Sequence, residues 1–227
     1  MFGSRAPEPP RPTISSFKFD KGGWEVTRSE AGEVFRMNEF GDVMVQRFRV
    51  ARPGGLPPNW RDVRALRAHL LASPSPKMAV ISIDVLTLAG GVSAAQYVHK
   101  ERMAAPSLGM RYAGMLTMPF ADFFHNLWFI AEEADPTGYR EAALMASGKV
   151  EMPPRPEVVP VIESQEQLEA MYAEARNQPP PVTGCDDEQW DAAFPQHPLS
   201  RVRGYLRKVR ETMTVDAAVR AATPFAG

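Results

Sequence analysis

"FADFFHNLWFIAEEAD", residues 120–135, decides the fold because it is apolar on both sides of an extended chain. Successive side chains of a strand point to opposite faces. One face carries Phe120, Asp122, Phe124, Asn126, Trp128 and Ile130, the other Ala121, Phe123, His125, Leu127, Phe129 and Ala131. Neither set suits bulk water. The strand must lie within a sheet, and something must cover each of its faces.

Working outward, "RYAGMLTMP" (111–119) and "YREAALMA" (139–146) are read as its neighbouring strands, the second entered through a turn at Asp135, Pro136, Thr137 and Gly138. Residues 24–50 alternate imperfectly and are punctuated by Gly32 and by Gly41 before Asp42, which predicts two or three strands with tight turns. Asn59 is expected to cap a helix that carries Trp60, Val63, Leu66, Leu70 and Leu71 on one side and stops at "SPSP" (73–76). "KMAVISIDVLTLAGG" (77–91) reads as a strand with Ile81, Ile83 and Val85 on one face. Ser93 and Gln96 have the spacing of a capping box, which predicts a helix over 93–105.

The composition changes at Met152, where prolines crowd the chain. A helix is expected from Ser164 to Arg176, then a short one with Trp190 and Phe194, then a longer one entered through Pro198. The fold class that follows is α+β, a mostly antiparallel sheet flanked by helices, with a C-terminal helical extension. The expected layout is a disordered lead-in over 1–16, an α+β sandwich over 17–150, a proline-rich linker over 151–163 and the helical extension over 164–227.

The bulk numbers limit the function. The chain has 227 residues, 44% of them hydrophobic, enough for a full core. With 26 basic against 27 acidic residues there is no overall field to gather nucleic acid or an anionic membrane, so neither is an expected partner. One cysteine, Cys185, allows no internal disulfide, which suits a reducing compartment. The first residues lack a secretory apolar run, so a cytoplasmic location is expected. Richness in Ala, Arg, Pro and Gly suits a GC-rich bacterial genome.

No reaction motif stands out. The four histidines, at 69, 99, 125 and 197, make no i, i+4 metal pair, and no metal or cofactor is expected. Cys185 has Asp186 and Asp187 beside it, which hold a thiol protonated rather than activate it. His125, mid-strand among phenylalanines, needs a hydrogen-bond partner and reads first as structural; it is also the polar centre of any pocket an enzyme or small-ligand binder would place between sheet and helices. In "PLSRVRGYLRKVRETM" (198–213), Leu199, Val202, Leu206, Val209 and Met213 make an apolar stripe, leaving Arg201, Arg203, Arg207, Lys208 and Arg210 on the remaining surface. Such a helix either docks its stripe on its own domain or offers a basic contact face to nucleic acid or lipid. Twelve methionines are many, and Met110, Met115, Met118 and Met145 concentrate around the strands, where they can fill a core or accept varied apolar partners.

The block from "MAVISIDVLTLAGGVSAAQYVHKERM" (78–103) through "YREAALMA" resembles the PsbP-like α/β/α sandwich, which includes DcrB-type proteins and the Eag chaperones of type VI secretion effectors. The resemblance covers about residues 17–148 and rests on a strand ending in "LTLAGG", an immediate helix and a three-stranded antiparallel run. It implies a domain that binds other molecules rather than catalyses. The expected function is thus a non-enzymatic protein-binding chaperone or adaptor, with an apolar segment of a secreted effector as its partner. The candidate partner-binding sheet face is Met118, Phe124, Trp128 and Met145. Exposed strand edges would also allow two copies to pair.

Overall fold

The computed structural model describes residues 11–72, 77–104, 109–134, 137–151 and 164–227. The short strand β1 (Phe17–Lys18) is followed by β2 (Glu25–Glu30), β3 (Glu33–Met37) and β4 (Val43–Arg49). Helix α1 (Val63–Leu71) leads to a meander of β5 (Met78–Thr87), β6 (Ser93–Arg102), β7 (Met110–Pro119) and β8 (Phe124–Glu132). Helices α2 (Tyr139–Ala146), α3 (Gln165–Asn177) and α4 (Pro198–Thr212) come next, then β9 (Thr214–Val215) and α5 (Ala217–Arg220). The fold is α+β: a seven-stranded sheet in the order β2-β3-β4-β8-β7-β6-β5, antiparallel throughout, with β1 and β9 paired separately.

The apolar strand that opened the reading is β8, and it lies between β4 and β7. It starts at Phe124, four residues later than expected. Phe120 to Phe123 form a turn closed by the Phe120 N–H on the Phe123 carbonyl (2.9 Å), with the two rings stacked at 4.3 Å. This turn sets the register Pro119↔Phe124, Leu116↔Leu127 and Tyr112↔Ala131.

His125, Leu127, Phe129 and Ala131 all face α4 and are buried, and the α4 stripe of Leu199, Val202, Leu206, Val209 and Met213 is buried against them. Burying each such side chain stabilises by roughly 1.5–3 kcal/mol as an upper estimate. The approach is close because β7 has Gly114 at the crossing. A Cβ there would stand 2.7 Å from both Leu206 Cδ1 and Val202 Cγ1. Helix α4 is thus part of the main core. Buried Lys100 of β6, bonded to both carboxylate oxygens of Asp186 (2.9 and 2.7 Å), ties the segment before α4 to the same sheet.

Four expectations are corrected. Residues 93–102 form β6, not a helix: Ala94, Gln96, Val98 and Lys100 are buried on one side, and β5 and β7 together offer a full ladder that an isolated capping-box pattern cannot outweigh. "YREAALMA" is helix α2, not a strand. Strand β8 is already paired on both sides, so the segment after it has no edge to join, and it coils from Gly138 in the left-handed region (φ 71°) with Leu144 buried. The cap of α1 is Asp62, whose side chain accepts the Arg64 N–H (2.8 Å), rather than Asn59. A bulge between Val80 and Ser82 turns Ile81 toward the α4 core, away from the face of Ile83 and Val85. The immediate helix and the third strand behind the PsbP-like resemblance are therefore a strand and a helix. Of the linker expected over 151–163, residues 152–163 lie outside the described residues, as do residues 1–10, the "SPSP" stop at 73–76 and residues 135–136 of the expected turn.

Gly114→Val should clash with α4 and lower the unfolding free energy by about 2 kcal/mol or more. Denaturant midpoints check this, and an unchanged midpoint would mean that α4 does not sit on β7.

Candidate functional site: the open face of the sheet

The sheet face opposite α4 is organised in rows that the register dictates. The central row runs Phe35, Val45, Trp128, Met115, Tyr97 and Ile83, each the direct cross-strand neighbour of the next. Beside it run Met37, Val43, Ile130, Ala113 and His99. Directly opposed aromatic and aliphatic side chains support one another in such rows. Helix α1 covers only the β5 end, where Trp60, Leu66 and Phe225 pack on Val80, Ile83 and Ala95. Among the described residues no other helix packs substantially on this face. Phe35, Trp128, Met115, Tyr97 and Ile130 stay partly exposed, and Met37 is 42% exposed.

Charged groups border this apolar centre. On one side Arg111 reaches across the sheet to Glu132 (2.8 Å) and Glu101 (3.1 Å). On the other, Arg47 bonds Glu33 (2.6 Å), and its guanidinium lies over the Trp128 ring at 5.0 Å. A shallow cavity of about 250 Å³ opens over Tyr97, His99, Met115, Trp128 and Ile130. The Tyr97 hydroxyl donates to Met115 Sδ (3.3 Å), and burial pushes its pKa up to about 12. Burial also holds the His99 imidazole below its ordinary pKa against the pull of Glu101.

The predicted contact residues divide. Phe124 and Trp128 share this open face. Met118 does not: it pairs with His125 on the α4 side and is 0% exposed. Three positions separate Met118 from Met115, which reverses the face, and Met115 is the residue beside Trp128. Met145 is in α2, away from the strands it was grouped with. Tyr97, Met115, Ile130 and Arg111 went unread as face residues. The signal for them was the 120–123 turn, which fixes the pairing of β7 with β8.

His125 is not a pocket centre. It is 0% exposed and stacks on Phe17 at 4.1 Å, 4° from parallel. The Gln46 carbonyl accepts from Arg36 (3.2 Å), so the Gln46 amide nitrogen donates to His125 Nε2 (3.1 Å). Burial, with the charge of Lys21 adding, lowers its pKa to about 3.

The basic set on α4 is largely consumed by the chain's own acids. Arg201 makes two bonds to Asp42 (2.8 and 2.7 Å), and Arg203 bonds Asp191 (3.1 Å) and the Asp186 carbonyl (2.7 Å). Arg207 pairs with Glu188 and Lys208 with Asp20, both at 2.9 Å. Of the set only Arg210 has no carboxylate partner among the described residues. Paired cations release few counterions, so this surface is a poor fit for a phosphate backbone. Cys185 is a free, buried thiol whose pKa burial raises, with Glu141 and Asp186 adding to it. Among the described residues no helix is long and apolar enough to cross a membrane.

No family model matches the chain, and no curated protein matches it significantly. Among solved structures it is similar to the E65A mutant of protein Mog1, at 9% identity over 93% of this chain and 97% of that one, with a TM-score of 0.44. It is also similar to the Saccharomyces cerevisiae Ran-binding protein Mog1p, at 11% identity over 72% and 87% of the two chains, with a TM-score of 0.38. Likeness at this level carries no argument about function.

The His125 environment predicts an acid weakness of known sign. Its folded pKa, about 3, lies below the ordinary imidazole value of 6.5, so the unfolded chain takes up a proton first. Stability is therefore full above pH 6.5 and falls below it, by up to about 1.4 kcal/mol per pH unit. His125→Phe, which keeps a ring against Phe17, should remove that slope between pH 6 and 4; equal slopes in the two proteins would contradict the assignment.

Proposed function

We propose that this chain is a non-enzymatic protein-binding module that takes an apolar segment of another polypeptide on the open face of its sheet. The observation that carries the reading is the row Phe35, Trp128, Met115 and Tyr97, partly exposed on either side of the buried Val45, with no helix over it among the described residues and bordered by the Arg111 and Arg47 ion pairs. A desolvated aromatic and methionine centre inside a polar rim is the anatomy of a protein interface. Met115 adds an adaptable surface that can accept more than one apolar side chain. The rival reading, a pocket between sheet and helices centred on His125, loses its centre because that space is filled by Phe17. The narrower reading, an adaptor for a secreted effector in a bacterial cytoplasm, is supported by the uncovered apolar face and the free buried Cys185. Its link to the Eag chaperones has only the remaining part of the PsbP-like resemblance behind it.

The test is recovery of partners on the full-length chain from its native cells, beside Met115→Glu and Trp128→Ser. Truncating an anchor of this kind costs about 2 kcal/mol or more of binding. A protein recovered with the wild type should be lost with both variants while their thermal midpoints stay close to that of the wild type. Undiminished recovery with folded variants, or a small metabolite as the sole companion, would overturn the proposal.

A further inference from the structure

Beyond the end of β8, on the side of the sheet that α4 covers, three groups far apart in sequence meet. Glu133 follows β8, Glu141 is in the first turn of α2, and His197 is the N-cap of α4. One ligand atom from each lies within 4.8 Å of the others. The backbone fixes Glu133: its Oε2 accepts the Met110 N–H (2.9 Å) and its Oε1 the Gly138 N–H (3.3 Å). His197 Nε2 stands 3.5 Å from Glu133 Oε1, and the two side chains are only 8% and 6% exposed.

Tyr112 is a second, independent pointer. It is 0% exposed, its ring meets that of His197 edge-on at 5.2 Å, and its hydroxyl has no hydrogen-bond partner among the described residues. Burial and the charges of Glu141 and Glu133 push its pKa up, as expected of a phenol close to both carboxylates. Glu141 Oε2 is likewise buried without a partner, and His197 Nε2 has the long 3.5 Å contact to Glu133 Oε1. Burial works against ionising Glu133, but His197 and the two backbone N–H groups outweigh it and keep its pKa low. The nearby cation, Arg140, is engaged by Asp191, Ser200 and the Asp187 carbonyl. The Leu199 N–H donates to His197 Nδ1 (3.3 Å), which leaves Nε2 facing the two carboxylates. Sheltered carboxylates are costly unless a cation compensates them.

We propose that Glu133, Glu141 and His197 form a binding site for one divalent transition-metal ion of the Zn²⁺ type, with the Tyr112 hydroxyl beside it. One imidazole nitrogen with carboxylate oxygens is a donor set suited to such ions, and a site for Mg²⁺ or Ca²⁺ would be built of oxygens alone. Ligation draws the three atoms together by roughly 1 Å to reach bonds of about 2.0–2.2 Å. It also moves the imidazole proton to Nδ1 and releases the long bond from Leu199. Glu133 and His197 line a cavity of about 630 Å³ with Phe40, Tyr139 and Phe194, so an ion here would keep a position open to that cavity.

The test uses full-length protein without a histidine tag, stripped with chelator and titrated calorimetrically with Zn²⁺, with Co²⁺ absorption as a second readout. The expected result is one ion per chain, bound at least about tenfold more weakly by both Glu141→Gln and His197→Asn. Glu141 is half-buried on a helix surface, and asparagine preserves an N-cap, so both variants should fold. Absence of saturable binding, or wild-type affinity in either folded variant, overturns the proposal.

Discussion

The structure depends on one close approach, that of α4 to the sheet at Gly114. Without a Cβ at this position, Val202 and Leu206 reach the backbone of β7, and the whole apolar stripe of the helix settles on β7 and β8. Much else is arranged to hold it there. Lys100 and Asp186 anchor the segment before the helix, and Arg140 of α2 joins Arg203 of α4 on Asp191. After the helix, β9 pairs with β1, which brings Phe17 over His125. Chain segments nearly two hundred residues apart thus close the same core.

This arrangement makes the sheet unequal on its two sides. One side is dry and held by a helix whose cations are mostly paired with the protein's own carboxylates. Among the described residues α1 is the one helix on the other side, over β5 and β6, and apolar residues of β3, β8, β7 and β6 there stay in partial contact with water. Strand β2, at the far edge, has every residue exposed and a bulge between Val26 and Arg28, features that discourage another sheet from adding to it. The accessible apolar surface is therefore the face of the sheet rather than its edge. That geometry favours a partner that lays side chains onto the row over one that extends the ladder.

Part of this was legible in the residues. Alternation in 120–131 separated the His125 side of β8 from the Trp128 side, and the α4 stripe was readable at its three- and four-residue steps. Turns at Gly32 and Gly41, both in the left-handed region, marked the hairpins of β2, β3 and β4. Other parts depended on tertiary context. The alanines and the Ser93/Gln96 spacing of β6 satisfy a helix as readily as a strand, and only the neighbours β5 and β7 decide between them. The fate of 139–146 followed from β8 having no free edge. Met115 rather than Met118 shares the Trp128 face because the turn at 120–123 sets the register, and alternation alone extends the strand through that turn. Glu133, Glu141 and His197 lie on three elements, so no spacing in the chain could bring them together.

The central claim is that α4 and the sheet are one folding unit, with the sheet's other face left for a partner. The most direct test is the thermal unfolding of residues 11–151 produced alone, followed by near-ultraviolet circular dichroism. Without α4 the row of Leu127, Phe129 and Ala131 would meet water, and the account predicts no cooperative transition and no fixed aromatic signal. A sharp transition with a signal like that of the whole chain would contradict it.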